Sequence, residues 1–228
     1  MKRALVIGTA GNEAHEILVR GYFLLQSPDW TCDICMSGSG TPHDNIVYYT
    51  MDGMWGQGLY AIAQGYDMVI RSYTLGWVFK YVWDICFAAG IQVVHAHAAN
   101  VHAEYGLPYG PPYIMQSAVM CGAGVTENIQ SYGPGLEFFD NIQGFPMGHD
   151  YDVAVESYAT PRIAGKLANI KDALGCSNQE ARFRAEMTAS KNGIWDSHDG
   201  YGIIDVINAI AYGIQKRTQI TKTPLLAA

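Results

Sequence analysis

Charge is scarce in this chain of 228 residues. Asp, Glu, Lys and Arg together make up only 15% of it, and the acidic side prevails to a formal net charge of −7. Without a cationic surplus the chain lacks the electrostatic footprint of a nucleic-acid or anionic-membrane binder. No apolar run reaches the length needed to span a bilayer. The opening Met1-Lys2-Arg3 carries two charges, but the Ala4-Leu5-Val6-Ile7 behind it is too short for the core of a signal peptide. That stretch reads as a first β-strand, and the chain reads as cytoplasmic. Cysteine is sparse as well: five residues, an odd number and widely spread. This excludes a disulfide framework and points to free thiols in a reducing compartment. Cys32 and Cys35 form a lone C-x-x-C without a second pair of metal ligands and read as two ordinary thiols near a strand. A full dinucleotide fingerprint is missing too. Gly8-Thr9-Ala10-Gly11 follows the first strand but has only the outline of a phosphate-binding turn, so no nucleotide or other cofactor is expected.

What is abundant is apolar surface, at 49% of residues. That balance fits a compact globular fold whose length suffices to bury a sizeable core. Strand-like runs at 3–7, 45–50, 67–72, 91–96 and 113–120 alternate with helical patterns at 13–25, 58–64 and 77–89. Three further helices are predicted, over 157–174, over 179–191 with Ser177 or Asn178 as cap, and over 203–215. Strands interleaved with helices predict an α/β fold: a doubly wound, mainly parallel sheet with helices on both faces. Gly106 to Pro112 and Asn141 to Asp150 read as loops. With no repeat and no linker, residues 1–217 read as a single domain. Residues 218–228, which show no periodicity, read as a mobile tail.

One run is specific. From Glu156 the chain reads Glu-Ser-Tyr-Ala-Thr-Pro-Arg-Ile-Ala-Gly, ending at Gly165. The spacing of Ser157, Ala159, Pro161, Ala164 and Gly165 resembles the segment that carries the nucleophilic serine in subtilisin-like serine peptidases, the subtilases. Val155-Glu156 stands where that segment has Gly-Thr. Further segments match in the family's order. Residues 5–15 resemble its aspartate strand, with His15 aligned to a structural histidine. Thr74-Leu75-Gly76 resembles the end of the strand that walls the substrate cleft, and Ala98-Ala99-Asn100 the strand ending in the oxyanion asparagine. Residues 131–138 resemble a Ser-x-x-Gly-Pro segment, and 200–205 the Gly-Tyr-Gly stretch near the family's C-terminus.

The resemblance implies a subtilisin-like fold with Ser157 at the nucleophile position and Asn100 at the oxyanion position. Thr74, Leu75 and Gly76 would line the substrate cleft. It also implies what is lost. Gly8 stands at the position of the aspartate, and no His-Gly-Thr-His motif exists. Ser39-Gly40-Thr41 and Asp52-Gly53, with Gly58 six residues after Asp52, are partial echoes of that motif. His43 is the remaining histidine candidate for a base, and Glu156 is a conceivable carboxylate base. A serine hydroxyl is a poor nucleophile until a base takes its proton. In subtilisin, loss of the histidine alone lowers kcat by roughly 10⁶, and loss of the aspartate by roughly 10⁴. The expectation is therefore a proteolytically inactive homologue, a pseudopeptidase with a binding or assembly role and a protein or peptide partner; self-association stays open. The alternative is an active serine hydrolase using Ser157 with a rebuilt catalytic relay.

Two other constellations stand out. His95 and His97, two apart on a predicted strand with His102 nearby, have a spacing that binds metal when a third ligand such as His149 or Asp150 joins them. Packed, hydrogen-bonded histidines fit the same spacing better, and no metal is expected. Tyr105, Tyr109 and Tyr113, with Pro108, Pro111 and Pro112 between them, suit either a recognition surface or a loop packed on the domain's own core.

Overall fold

A computed structural model of the chain describes residues 2–9, 11–42, 44–49, 54–72, 80–97, 117–125, 128–129, 135–141 and 155–212. Within them the strands are β1 (Arg3–Thr9), β2 (Thr31–Ser37), β3 (Ile46–Tyr49), β4 (Met68–Arg71), β5 (Gln92–Ala96), β6 (Ala118–Val125), β7 (Asn128–Ile129) and β8 (Phe138–Asn141). The helices are α1 (Glu13–Gln26), α2 (Met54–Ala63), α3 (Lys80–Ala88), α4 (Val155–Leu174) and α5 (Asn178–Thr188), followed by α6 at 206–212. The strands form one sheet in the order β3-β2-β1-β4-β5-β6, with β8 pairing β6 in parallel and β7 folding back antiparallel on the end of β6. This is the mainly parallel α/β sheet that the alternating pattern predicts.

Alternation along the strands separates two cores. Ala4 and Val6 face one way and pack with Val19 and Phe23 of α1 and Ile163, Ala164 and Leu167 of α4. Leu5 and Ile7 face the other way and pack with Ala61 of α2 and Val82, Trp83 and Cys86 of α3. A strand buried on both faces is mostly apolar, which is why residues 4–7 of β1 form an unbroken apolar run; β5 is buried throughout too and admits Gln92 and His95, which bond to the Val93 and Ala96 carbonyls. Helices therefore cover both faces, as expected.

Two expectations are corrected. The C-x-x-C is not beside a strand but inside one: Cys32 and Cys35 lie in β2, which pairs with β1 along its whole length. Its run Thr-Cys-Asp-Ile-Cys-Met-Ser alternates polar residues with buried ones, and half-buried Asp33 is paired with Arg3 at 3.1 Å and the Tyr66 hydroxyl at 2.7 Å. The helix expected to reach residue 191 ends at Thr188, because Ala189 leaves helical geometry at ψ 168°. Its start follows the expectation: the Ser177 hydroxyl accepts from the Glu180 N–H at 3.1 Å. Helix α6 is described over 206–212, and the proposed tail at 218–228 lies outside the described residues.

Helices α1 and α4 run side by side in the same direction. Tyr22 meets Tyr158 edge-on with ring centroids 5.1 Å apart, and Gln26 lies against Gly165. Further on, the Ser27 hydroxyl donates to the Gly165 carbonyl at 3.0 Å and Trp30 Nε1 donates to Asp172 at 2.7 Å. Both helices thus begin at the end of the sheet where β1 and β4 finish. Helix α5 is pinned to the segment entering β8 by a buried fork. Arg182 donates through Nε and Nη2 to the two carboxylate oxygens of Glu137, at 2.7 and 2.6 Å.

Candidate functional site

The strand order reverses between β1 and β4: chain order runs outward to β2 and β3 on one side and to β5 and β6 on the other. In open α/β sheets such a reversal leaves a crevice beyond the carboxyl ends of the two strands, where ligands bind. The register pairs Val6 with Ile70, so continuing two residues sets Gly8 beside Ser72 at that edge.

Ser157 reaches the same edge from above. It is the third residue of α4, so its N–H is among those without an intrahelical acceptor, at the helix end that carries partial positive charge. Pro161, four residues on, has no N–H to give, so the Ser157 carbonyl also lacks its intrahelical donor. The Ser157 side chain is 5% exposed, and its hydroxyl donates to the Ser72 main-chain carbonyl at 3.0 Å. Among the described residues no ionisable group is hydrogen-bonded to it.

Gly8 is bare, as the sequence states, but the space above it is filled. A Cβ on residue 8 would stand 2.5 Å from Glu16 Cγ and 2.6 Å from both Cδ and Oε1. By alternation, a side chain at position 8 would share the face of Ala4 and Val6, the face that α1 covers. Glu16 comes from the first turn of α1 and is completely buried. Its Oε1 faces His15 Nδ1 at 3.2 Å, while Oε2 has no partner among the described residues. The Ser72 hydroxyl just past β4 is likewise buried and without a partner among the described residues. From the other side Gln57 of α2 donates to the Gly8 and Cys35 carbonyls, both at 2.8 Å, tying α2 to the ends of β1 and β2.

The residues singled out in sequence separate into those that the structure places and those that lie outside the described residues. Ser157 and Gly8 come together at the β1/β4 edge. Asn100, His43, Thr74, Leu75 and Gly76 fall outside the described residues, as do Asp52, His102, His149 and Asp150 and the tyrosine and proline cluster at 105–113; the side chain of Glu156 does too. His95 is a packed histidine: its Nδ1 lies 2.6 Å from the Ala96 carbonyl and its ring meets Trp83 edge-on. His97 is buried just past β5. Among the described residues no three His, Cys, Asp or Glu side chains gather to hold a metal ion.

Glu16, Ser72 and Gln57 were not singled out in sequence. For Glu16 the signal was present: it shares an inward stripe with Val19 and Phe23, where a carboxylate is costly without a purpose.

No family model matches the chain, and no curated protein matches it. Solved structures do. The self-cleaved protease domain of PatA superposes with a TM-score of 0.60 at 13% identity, over 92% of this chain and 96% of that one. The patellamide maturation protease PatA gives 0.61 at 13% identity over the same shares. The patellamide maturation protease PatG gives 0.57 at 8% identity, over 94% of this chain and 92% of that one. These are subtilisin-like protease folds, and the chain shares that fold. Among the described residues no helix is long and apolar enough to cross a membrane.

Proposed function

We propose that this chain is a subtilisin-fold pseudopeptidase that binds polypeptide without hydrolysing it at a useful rate. The observation that carries this reading is the direction of the Ser157 hydroxyl, which spends its proton on the Ser72 carbonyl at 3.0 Å. A carbonyl is an acceptor but not a base, and a serine nucleophile needs a base to take that proton. Position 8, where the resemblance expects the acid, has no side chain. What survives is a helix N-terminus at the crevice beyond β1 and β4, a setting that favours a peptide carbonyl or carboxylate. The polypeptide-binding parts would be completed by Asn100 and Thr74-Leu75-Gly76.

The experiment is active-site labelling of the folded protein with a fluorophosphonate probe, beside the Ser157→Ala variant, with peptide binding followed on both. The expected result is no Ser157-dependent labelling, with peptide binding retained in both proteins. Labelling at neutral pH that disappears in Ser157→Ala would refute it. One observation favours the alternative, a serine hydrolase with a rebuilt relay: a carboxylate does stand above Gly8, supplied by Glu16. The same labelling separates the two.

A further inference from the structure

We infer that Glu16 is the acid of this site, delivered from α1 into the volume of a residue-8 side chain, and that its task is to orient the imidazole of His15. This goes beyond the binding function proposed above and holds whether or not Ser157 turns over substrate.

Three observations meet at one place. First, the absence of a Cβ on Gly8 is a requirement of the packing: any side chain there would collide with Glu16, whose Cγ would lie 2.5 Å from that Cβ. Glycine on the central strand and glutamate on the helix are therefore one arrangement. The Glu16 Oε1 lies 2.6 Å from the virtual Cβ, within the reach of a carboxylate borne by residue 8 itself. Second, a fully buried carboxylate is costly, and this one uses one oxygen on His15 Nδ1 while the other has no partner among the described residues. A carboxylate needed only for packing would be replaced at lower cost by an apolar residue on the Val19 and Phe23 stripe. Third, the location is the β1/β4 reversal, with the Ser72 and Ser157 hydroxyls at the same edge.

The chemistry follows from the partner. A carboxylate accepts, so the neutral imidazole of His15 must keep its proton on Nδ1 and turn Nε2 into the acceptor nitrogen. Glu16 is thus a positioning residue. It fixes which ring nitrogen of His15 is the acceptor, and it does so from a helix where a strand residue would otherwise serve.

The test combines a tautomer measurement with relocation of the carboxylate. Nitrogen-15 NMR of the full chain, taken up in pH until the His15 ring signals stop moving, reads the tautomer of the neutral form. The parent is expected to show the Nδ1–H signature and Glu16→Met to lose it. Gly8→Asp alone is expected to lower the thermal midpoint or prevent folding, because its Cβ meets Glu16. Gly8→Asp/Glu16→Ala, with the carboxylate returned to the strand, is expected to fold and to regain the Nδ1–H signature. Gly8→Leu/Glu16→Ala fills the same volume without an acceptor and is expected to fold without that signature. The inference is overturned if Glu16→Met keeps the parent tautomer, or if the Leu and Asp double variants give the same tautomer. A fluorophosphonate result against the binding reading would leave these outcomes untouched, so the two fail separately.

Discussion

The buried fork between Glu137 and Arg182 makes a quantitative prediction. Glu137 is fully buried and Arg182 is 8% exposed, with Nε and Nη2 on the two carboxylate oxygens at 2.7 and 2.6 Å. Glu186 stands 3.3 Å from Arg182 on the same helix. Removing one partner of such a pair costs about 3–5 kcal/mol, while replacing both with apolar residues is often near neutral. The two single removals are not equivalent. Glu137→Leu leaves a guanidinium that cannot lose its charge and keeps only Glu186 of these two carboxylates, so a cost within that range applies. For a domain of this size that is a fall of about 6–20 °C in melting midpoint. Arg182→Met strands a carboxyl that can take up a proton instead: burial already pushes Glu137 up to about 8, outweighing the downward pull of Arg182. Its cost is that of an unsatisfied neutral group, about 1–3 kcal/mol. Because the folded-state value lies above the ordinary carboxylate range, the native protein holds a proton that the unfolded chain has released. This group's contribution is fully present below that range and is lost as pH rises through about 8. Chemical denaturation of the parent, both single variants and Glu137→Leu/Arg182→Met tests all of this. The double variant should return to within about 2 kcal/mol of the parent. The gap between parent and Glu137→Leu should narrow as pH rises from the ordinary carboxylate range to about 8 and level off above it. A double variant as unstable as Glu137→Leu, or an Arg182→Met more costly than Glu137→Leu, refutes the reasoning.

Two more predictions follow from packing. Gly165 lies where α4 packs closely on α1, with Gln26 in the way of any Cβ. Alanine in an exposed helix would add up to about 1 kcal/mol of stability over glycine. Gly165→Ala is instead expected to lose about 1–3 kcal/mol in urea denaturation through overpacking, and a gain would mean that α1 is not there. Cys32, Cys35, Cys86 and Cys121 are buried, whereas Cys176 is half-buried. Burial pushes Cys35 up to about 12 and Cys86 up to about 11, and raises Cys32 and Cys121 as well. A thiol titration of the folded protein should therefore find one reactive cysteine and five after unfolding; two or more fast thiols would contradict the core described above.

The sheet was legible because its central strands have no choice of residue. β1 and β5 are covered on both faces, and the apolar residues 4–7 and Ile91, Val93 and Val94 leave a signal that needs no alignment. β2 escaped notice because Thr31 and Asp33 break the run and two cysteines suggested chemistry; only the side chains of Arg3 and Tyr66, distant in sequence, make Asp33 acceptable there. The serine helix was legible from five residues at fixed spacing. The acid was not, for a physical reason. Sequence comparison looks for a side chain at its own position, and here the carboxylate arrives from residue 16 into space that residue 8 leaves open. The pairing of a missing side chain with a charge on an inward helical stripe is visible only when the two elements are packed together.

The parallel packing of α1 and α4 has a consequence for how the chain is made. The contacts that tie α1 and the turn after it to α4 come from residues 136 to 142 positions later, as in Tyr22 with Tyr158 and Trp30 with Asp172. At a synthesis rate of about 5–20 residues per second, α4 emerges roughly 7–28 s after α1. Until then Val19, Phe23 and the β1 face beneath them have no cover from α4. Local contacts cannot shorten that wait, so the nascent chain passes through a long interval with an open apolar face, the interval in which a chaperone would be needed most.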